Sequence, residues 1–296
     1  MMIERDFNAV VPFEVRAPAE QRIPFVFNSP HSGRCYPINF LEQSRLDAMA
    51  IRRSEDSFVE DLFGGAVALG APMLIAHFPR AYLDANREPY ELDPRMYNEP
   101  LPPHFNSRSA RVLGGLGTVP KLVGEGQEIY GRRIPLAEAM GRIETIYKPY
   151  HEFLASLIGS TQRRFGYSIL IDCHSMPTGI RISDAGFRPD FIIGDRFGTS
   201  ACRELSLFAM ELLQGMGYAV AHNKPYAGGY ITEHYGRPAK GSHALQIEIN
   251  RGIYMDEALF LKTSGFETLR RDLNRFMADL TAMPDYHFID MPLAAE

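Results

Sequence analysis

The chain has few cysteines, no long apolar run and no block of one charge, and each absence narrows what it can be. Its 296 residues include three cysteines, Cys35, Cys173 and Cys202. An odd number at wide spacing argues against a disulfide framework and for a reducing, cytoplasmic setting. No stretch approaches the roughly 20 apolar residues of a membrane-spanning helix. The first segment carries Glu4, Arg5, Asp6 and Glu14, so neither a membrane partner nor a signal peptide is expected. The formal charge of −5 comes without a basic stripe, which removes the footprint of a nucleic-acid partner and leaves small molecules. Internal repeats, low-complexity stretches and the HExxH zinc motif are also missing.

What is present suits a globular α/β protein, since 45% hydrophobic residues are ample for a packed core. Residues 167 to 171 (Tyr-Ser-Ile-Leu-Ile) predict a short buried strand, at whose carboxyl end Asp172, Cys173, His174 and Ser175 fall. That edge of an open α/β sheet is where ligands bind. Ile23 to Asn28 repeats the pattern: a strand runs out into Ser29-Pro30-His31-Ser32-Gly33, where Pro30 and Gly33 hold His31 in a turn. Either histidine alone is better explained by a satisfied structural role. Two from strand ends can converge on one site.

Ser54 is a plausible N-cap for a helix carrying Phe58, Val59, Leu62 and Phe63, with Glu55 and Asp56 in its first turn. There the two acids serve either the helix dipole or as a carboxylate ligand. Residues 73 to 76 predict another strand, followed by Arg80, Asp84, Asn86 and Arg87. Arginine forks bind carboxylates or oxyanions, although an internal Arg–Asp pair fixing a turn explains the same cluster. Residues 88 to 134, rich in Pro and Gly, form a long loop region with short strands expected over 112 to 122. A helix follows over 135 to 162, kinked at Pro149, with His151 in a structural role. Further strands are expected at 191 to 195, 218 to 221 and 244 to 250, with helices over 201 to 216 and 256 to 281. Gly228 and Gly229 allow close backbone approach. Glu248 alternates with Ile247 and Ile249, and is either a carboxylate held in a cleft or a solvent-facing residue on an edge strand.

Two histidines and a carboxylate around an open position make a hydrolytic zinc site, with a second carboxylate as base and an arginine for the oxyanion. His31, His174, Asp56 or Glu55, Glu248 and Arg80 supply each part, but residue types alone are not specific. Greater specificity comes from six ordered blocks: Asn-Ser-Pro-His-Ser-Gly, Ser-Glu-Asp-Ser-Phe-Val-Glu-Asp-Leu, Pro-Arg-Ala-Tyr-Leu-Asp-Ala-Asn-Arg, Ile-Asp-Cys-His-Ser-Met-Pro, Tyr-Ala-Gly-Gly-Tyr-Ile-Thr and Gln-Ile-Glu-Ile-Asn-Arg. Together they resemble the N-formylglutamate amidohydrolase family over about residues 22 to 280.

The resemblance implies a single amidohydrolase domain over 1–296, an α/β three-layer sandwich whose mixed central sheet is flanked by helices, as in zinc carboxypeptidases and aspartoacylases. It implies hydrolysis of N-formyl-L-glutamate to formate and glutamate, the last step of one histidine degradation route, with one zinc ion or another divalent transition metal. By the same resemblance His31, Asp56 and His174 are metal ligands, with Glu55 the alternative carboxylate. Glu248 is the general base, and Arg80 polarises the scissile carbonyl. Asn86, Arg87, Gly228, Gly229, Thr232 and Arg251 bind substrate, and Asp172 supports a histidine ligand. The expected partner is a small N-acyl amino acid, and the protein is a monomer or small homo-oligomer. Three rivals remain: a zinc deacylase of another N-acyl amino acid, an amidase with Cys173 as nucleophile, and a binding protein that has lost turnover.

Overall fold

The computed structural model describes residues 11–182, 186–285 and 288. By chain order its first elements are β1 (Phe13–Arg16), β2 (Phe25–Ser29), α1 (Ile38–Gln43), α2 (Val59–Leu62), α3 (Ala66–Leu69) and β3 (Met73–Ala76). Next come α4 (Ala110–Leu113), β4 (Leu122–Val123), β5 (Gln127–Glu128), α5 (Leu136–Arg142) and α6 (Lys148–Phe165). The last are β6 (Ser168–Met176), β7 (Phe191–Gly194), α7 (Arg203–Gly215), β8 (Val220–His222), α8 (Tyr230–Tyr235), β9 (Ser242–Asn250), β10 (Met255–Asp256), β11 (Leu261–Lys262) and α9 (Gly265–Thr281).

Seven strands make one mixed sheet in the order β1-β3-β2-β6-β9-β7-β8, flanked by helices. β6 runs parallel to both β2 and β9, whereas β7 is antiparallel to β9 and parallel to β8. Two compact units emerge, one from residues up to 14, 30–57 and 75–153, the other from 15–29, 58–74 and 154 onward.

In the second unit every residue of β2, β6 and β9 is buried, as expected of interior strands covered on both faces. The sequence predicts β6 to stop at Ile171, yet it continues through Met176. Its partner β9 supplies backbone pairing as far as Met176 opposite Asn250, so the polar residues stay in the ladder instead of leaving it as a loop. β9 likewise begins at Ser242, two residues before the predicted start, and lies between β6 and β7. An edge-strand Glu248 is thereby ruled out.

α9 buries Phe266, Leu269, Leu273, Phe276, Met277 and Leu280 along one stripe. Each such side chain contributes about 1.5–3 kcal/mol by leaving water. It starts at Gly265, not near 256, because β10 and β11 pair into a ribbon and Phe260 adopts the left-handed φ of 52°, which interrupts a helix.

In the first unit, Pro149 follows a π turn at Ile143–Tyr147 that joins α5 to α6. The wider turn absorbs the proline, so its effect is a change of helix type at that point. Residues 112 to 122, expected to hold strands, begin in α4 and reach a strand only at Leu122. Ser109 caps α4 by accepting from the Val112 N–H at 3.1 Å. The buried Arg142 guanidinium donates to the Tyr82 carbonyl at 3.0 Å and the Tyr130 hydroxyl at 2.6 Å, and lies 3.9 Å over the Tyr82 ring. His151 donates its ring N–H to the Ala85 carbonyl at 2.9 Å, in the structural role expected of it. Among the described residues no helix is long and apolar enough to cross a membrane.

His243, at the start of β9, is buried and accepts the Cys202 backbone N–H at 3.1 Å. Burial pushes its imidazole down from 6.5 to about 4. The unfolded chain therefore takes up a proton that the native state refuses as pH falls below 6.5. We expect stability to decline between pH 6.5 and 4, by about 3 kcal/mol in total. Urea unfolding across pH 4 to 8 measures it, and His243→Gln should flatten that part of the profile; an unchanged slope would show that His243 is not the titrating group.

Candidate active site

Along the second unit's strands, one face changes from apolar to polar toward the carboxyl ends. Val26 and Leu170 pair and are followed by the pair Asn28 and Asp172; Gln246 then stands beside Asp172, and Glu248 beside His174. Period-two alternation keeps these residues on one face and sends Cys173, Ile247 and Ile249 to the other. Asn28 donates to Asp172 Oδ1 at 2.7 Å, and the other Asp172 oxygen takes the Nε2–H of His174 at 2.9 Å. This fixes the tautomer and directs Nδ1 as the ring's lone-pair atom. Gln246 donates from Nε2 to Glu248 Oε1 at 2.9 Å, while its carbonyl accepts the Gly229 N–H at 2.8 Å.

Gly228 and Gly229 precede α8. Gly228 has φ 115°, a conformation that favours glycine, and a side chain there would press on Thr232 at 3.1 Å. Arg251 donates from Nε to the Ser175 hydroxyl at 3.1 Å and lies 4.0 Å from Glu257. Cys173 is fully buried; burial and the neighbouring Asp172 charge push its thiol well up, the opposite of what an activated nucleophile requires.

In the first unit the His31 turn is held at the backbone. The Asp56 N–H donates to the His31 carbonyl at 3.0 Å and the Cys35 N–H to that of His77 at 2.9 Å, while any side chain on Gly33 would overlap the Phe78 carbonyl oxygen. His31 Nε2 lies 2.8 Å from Asp84 Oδ1. A carboxylate only accepts, so Nε2 carries the proton and Nδ1 the lone pair when the ring is neutral. That Nδ1 lies 3.4 Å from Asp56 Oδ2. Two buried lone-pair atoms so close call for a cation or a proton between them.

Asp84 organises the rest. It takes Arg80 Nε at 3.0 Å and the Asn86 N–H at 2.8 Å, with Arg87 at 3.4 Å. Burial alone would raise its carboxyl, but the Arg80 and Arg87 charges and His31 hold it well below the usual carboxylate range. Burial pulls the Arg87 guanidinium down to about 10 against the opposing pull of Asp84. Arg87 also donates to the Leu116 and Asn86 carbonyls, and its side chain is 9% exposed, against 26% for Arg80. Arg80 is therefore the arginine better placed to meet a ligand.

Ser54 closes a 3-10 turn at Ala50–Ser54 and does not cap a helix; α2 begins at Val59, after Phe58 in the left-handed region. Glu55 and Asp56 thus lie in the intervening segment, outside any helix dipole. Glu55 is saturated by Tyr36 at 2.7 Å, Arg52 at 2.9 and 3.0 Å, and Ser57 at 2.8 Å. Among the described residues, His31, Asp56 and His174 are a buried donor group that could hold a metal ion. Asn28, Gln246 and the bond from Asp84 to His31 were not singled out from the sequence. Gln246 was within reach, since it lies two positions before Glu248 on an alternating strand.

A family model described as N-formylglutamate amidohydrolase matches residues 23–255. N-formylglutamate deformylase of Pseudomonas putida is 31% identical over 246 residues, covering 80% of this chain and 83% of the relative. Its counterpart in Pseudomonas aeruginosa is 29% identical over 241 residues, covering 80% and 84%. The crystal structure of N-formylglutamate amidohydrolase from Ralstonia eutropha JMP134 superposes with a TM-score of 0.86 at 33% identity, covering 92% of this chain and 98% of that one. A protein from Agrobacterium tumefaciens, at 15% identity and a TM-score of 0.66, shares the fold.

Glu55→Gln breaks the buried ion pair with Arg52 and should cost about 3 kcal/mol in urea unfolding; an unchanged unfolding midpoint would show that Glu55 is not a structural carboxylate.

Proposed function

The chain belongs to the N-formylglutamate amidohydrolase family, and from that premise we propose that it hydrolyses N-formyl-L-glutamate to formate and L-glutamate with one divalent metal ion, zinc by preference. The observation that carries the metal is the carboxylate on Nε2 of each histidine, 2.8 Å for His31 with Asp84 and 2.9 Å for His174 with Asp172, which turns both Nδ1 atoms into lone-pair donors. His31, Asp56 and His174 would be its ligands. Their nitrogen and oxygen donors suit zinc and other first-row divalent ions. A metal bound there supplies Lewis acidity and lowers the pKa of water.

The chain's own residues carry the remaining chemistry. Glu248 takes a proton from the attacking water and returns it to the departing amine nitrogen, so that C–N cleavage leaves formic acid and the free amine. The acid's proton then passes to the amine to give formate and the ammonium form of glutamate. Arg80 offsets charge on the carbonyl oxygen in the tetrahedral state. Asn86, Arg87 and Arg251 hold the substrate's carboxylates, and Gly228, Gly229 and Thr232 line the pocket. Formyl is the smallest acyl group, so the glutamate end provides most of the binding. We place the reaction in the cytoplasm, at the end of histidine degradation.

Formate release from N-formyl-L-glutamate should be absent in metal-free protein and return with one equivalent of zinc, with N-acetyl-glutamate and N-acetyl-aspartate turned over poorly. Turnover undiminished after chelation would overturn the metal; turnover of the acetyl substrates alone would overturn the formyl assignment. Asp84→Asn should weaken zinc binding by about 10- to 100-fold in competition titrations, because a neutral amide holds the His31 ring less firmly; unchanged affinity would separate Asp84 from the metal.

A further inference from the structure

We propose that Gln246 is a positioning residue with two separable tasks, aiming the Glu248 carboxylate through its amide N–H and holding the Gly228–Thr232 segment through its carbonyl. The inference rests on Glu248 being the general base.

Gln246 is 4% exposed, and Glu248 on the same face of β9 is 7% exposed. Between them runs the 2.9 Å bond from Gln246 Nε2 to Glu248 Oε1. On the other side Gln246 Oε1 accepts the Gly229 N–H at 2.8 Å and the Thr232 hydroxyl at 3.4 Å. This network decides the amide's orientation. Rotated by 180°, it would set an NH2 group against the Gly229 N–H and a carbonyl against the carboxylate, losing both bonds and adding two repulsions. The pocket-lining segment and the base are thereby joined through one planar group. A carboxylate held by a neutral donor loses rotational freedom, and a base must be so held before substrate arrives.

The two halves of the amide can be removed separately. Gln246→Glu keeps the acceptor for Gly229 and Thr232 but sets a second carboxyl 2.9 Å from Glu248, and the pair shares a proton until the alkaline plateau of the pH profile. Kinetics read on that plateau, where both are ionised, report the loss of the donor to Glu248. Gln246→Met keeps the bulk and loses both. In zinc-loaded protein we expect kcat for N-formyl-L-glutamate to fall about 10- to 100-fold in both variants. KM should stay within about twofold in Gln246→Glu and rise about tenfold in Gln246→Met, as loss of one buried hydrogen bond implies. Binding of L-glutamate, measured by calorimetry, should follow KM. Glu248→Gln, assayed alongside, separates the two levels. If it keeps wild-type kcat, the base assignment fails and this role for Gln246 with it. If it is inactive while Gln246→Glu retains kcat, only the positioning role is overturned. Equal changes of kcat and KM in both Gln246 variants would also overturn the division of tasks. Thermal unfolding monitors the fold, and should Gln246→Met misfold, the kcat-against-KM split of Gln246→Glu decides alone.

Discussion

The parallel ladder between β6 and β9 is the constraint on which the site depends. Nine consecutive pairs, from Ser168 opposite Ser242 to Met176 opposite Asn250, put His174 beside Glu248 and Asp172 beside Gln246. Side chains alternate at every residue, so a slip of β9 by one position would turn Gln246 and Glu248 away from Asp172 and His174 and bring Ile247 and Ile249 into their place. The apolar side of the ladder resists that slip. Burying Ile169, Ile171, Leu245, Ile247 and Ile249 on one face is incompatible with a slip by one residue, and the packing that stabilises the sheet therefore also sets which side the polar groups take.

The histidines are handled alike in both units, although the sequence around them differs. His174 is oriented by a carboxylate two residues earlier on its own strand, His31 by one fifty-three positions later in the chain. The short-range solution needs only strand geometry. The long-range one needs the Gly33 approach to Phe78 and the Asp84 cluster, where two arginines keep the carboxylate ionised despite its burial. A charged group so deep is tolerable only because its four partners converge on two oxygens.

How much was legible in the chain follows from the range of the forces involved. Strand positions at Phe25, Met73, Phe191 and Val220 follow from local apolar runs, and the observed elements begin within two residues of the predicted ones. His31, His174 and Glu248 stood out because motif and alternation are local properties. The errors fall where a distant partner decides. The end of β6 is set by β9, and the start of α9 by the β10–β11 ribbon. An N-cap at Ser54 looked sound on composition, yet the left-handed Phe58 places the helix start four residues further on. Gln246 shares the alternation that marks Glu248, but its two partners, Gly229 and Glu248, come together only in the fold.

The burial of Cys173 bears on which ions the proposed centre would accept. Soft thiolates favour copper(I), zinc and iron–sulfur chemistry, and a sulfur added to two nitrogens and a carboxylate would fill the fourth position that a hydrolytic reaction requires. One residue from His174, but on the opposite side of the strand, the thiol is withheld by the pleat itself. The polypeptide keeps a small, dense, apolar side chain in its core, and an ion at the proposed centre would meet nitrogen and oxygen donors alone, so strand parity as well as ligand identity would bear on which ion binds.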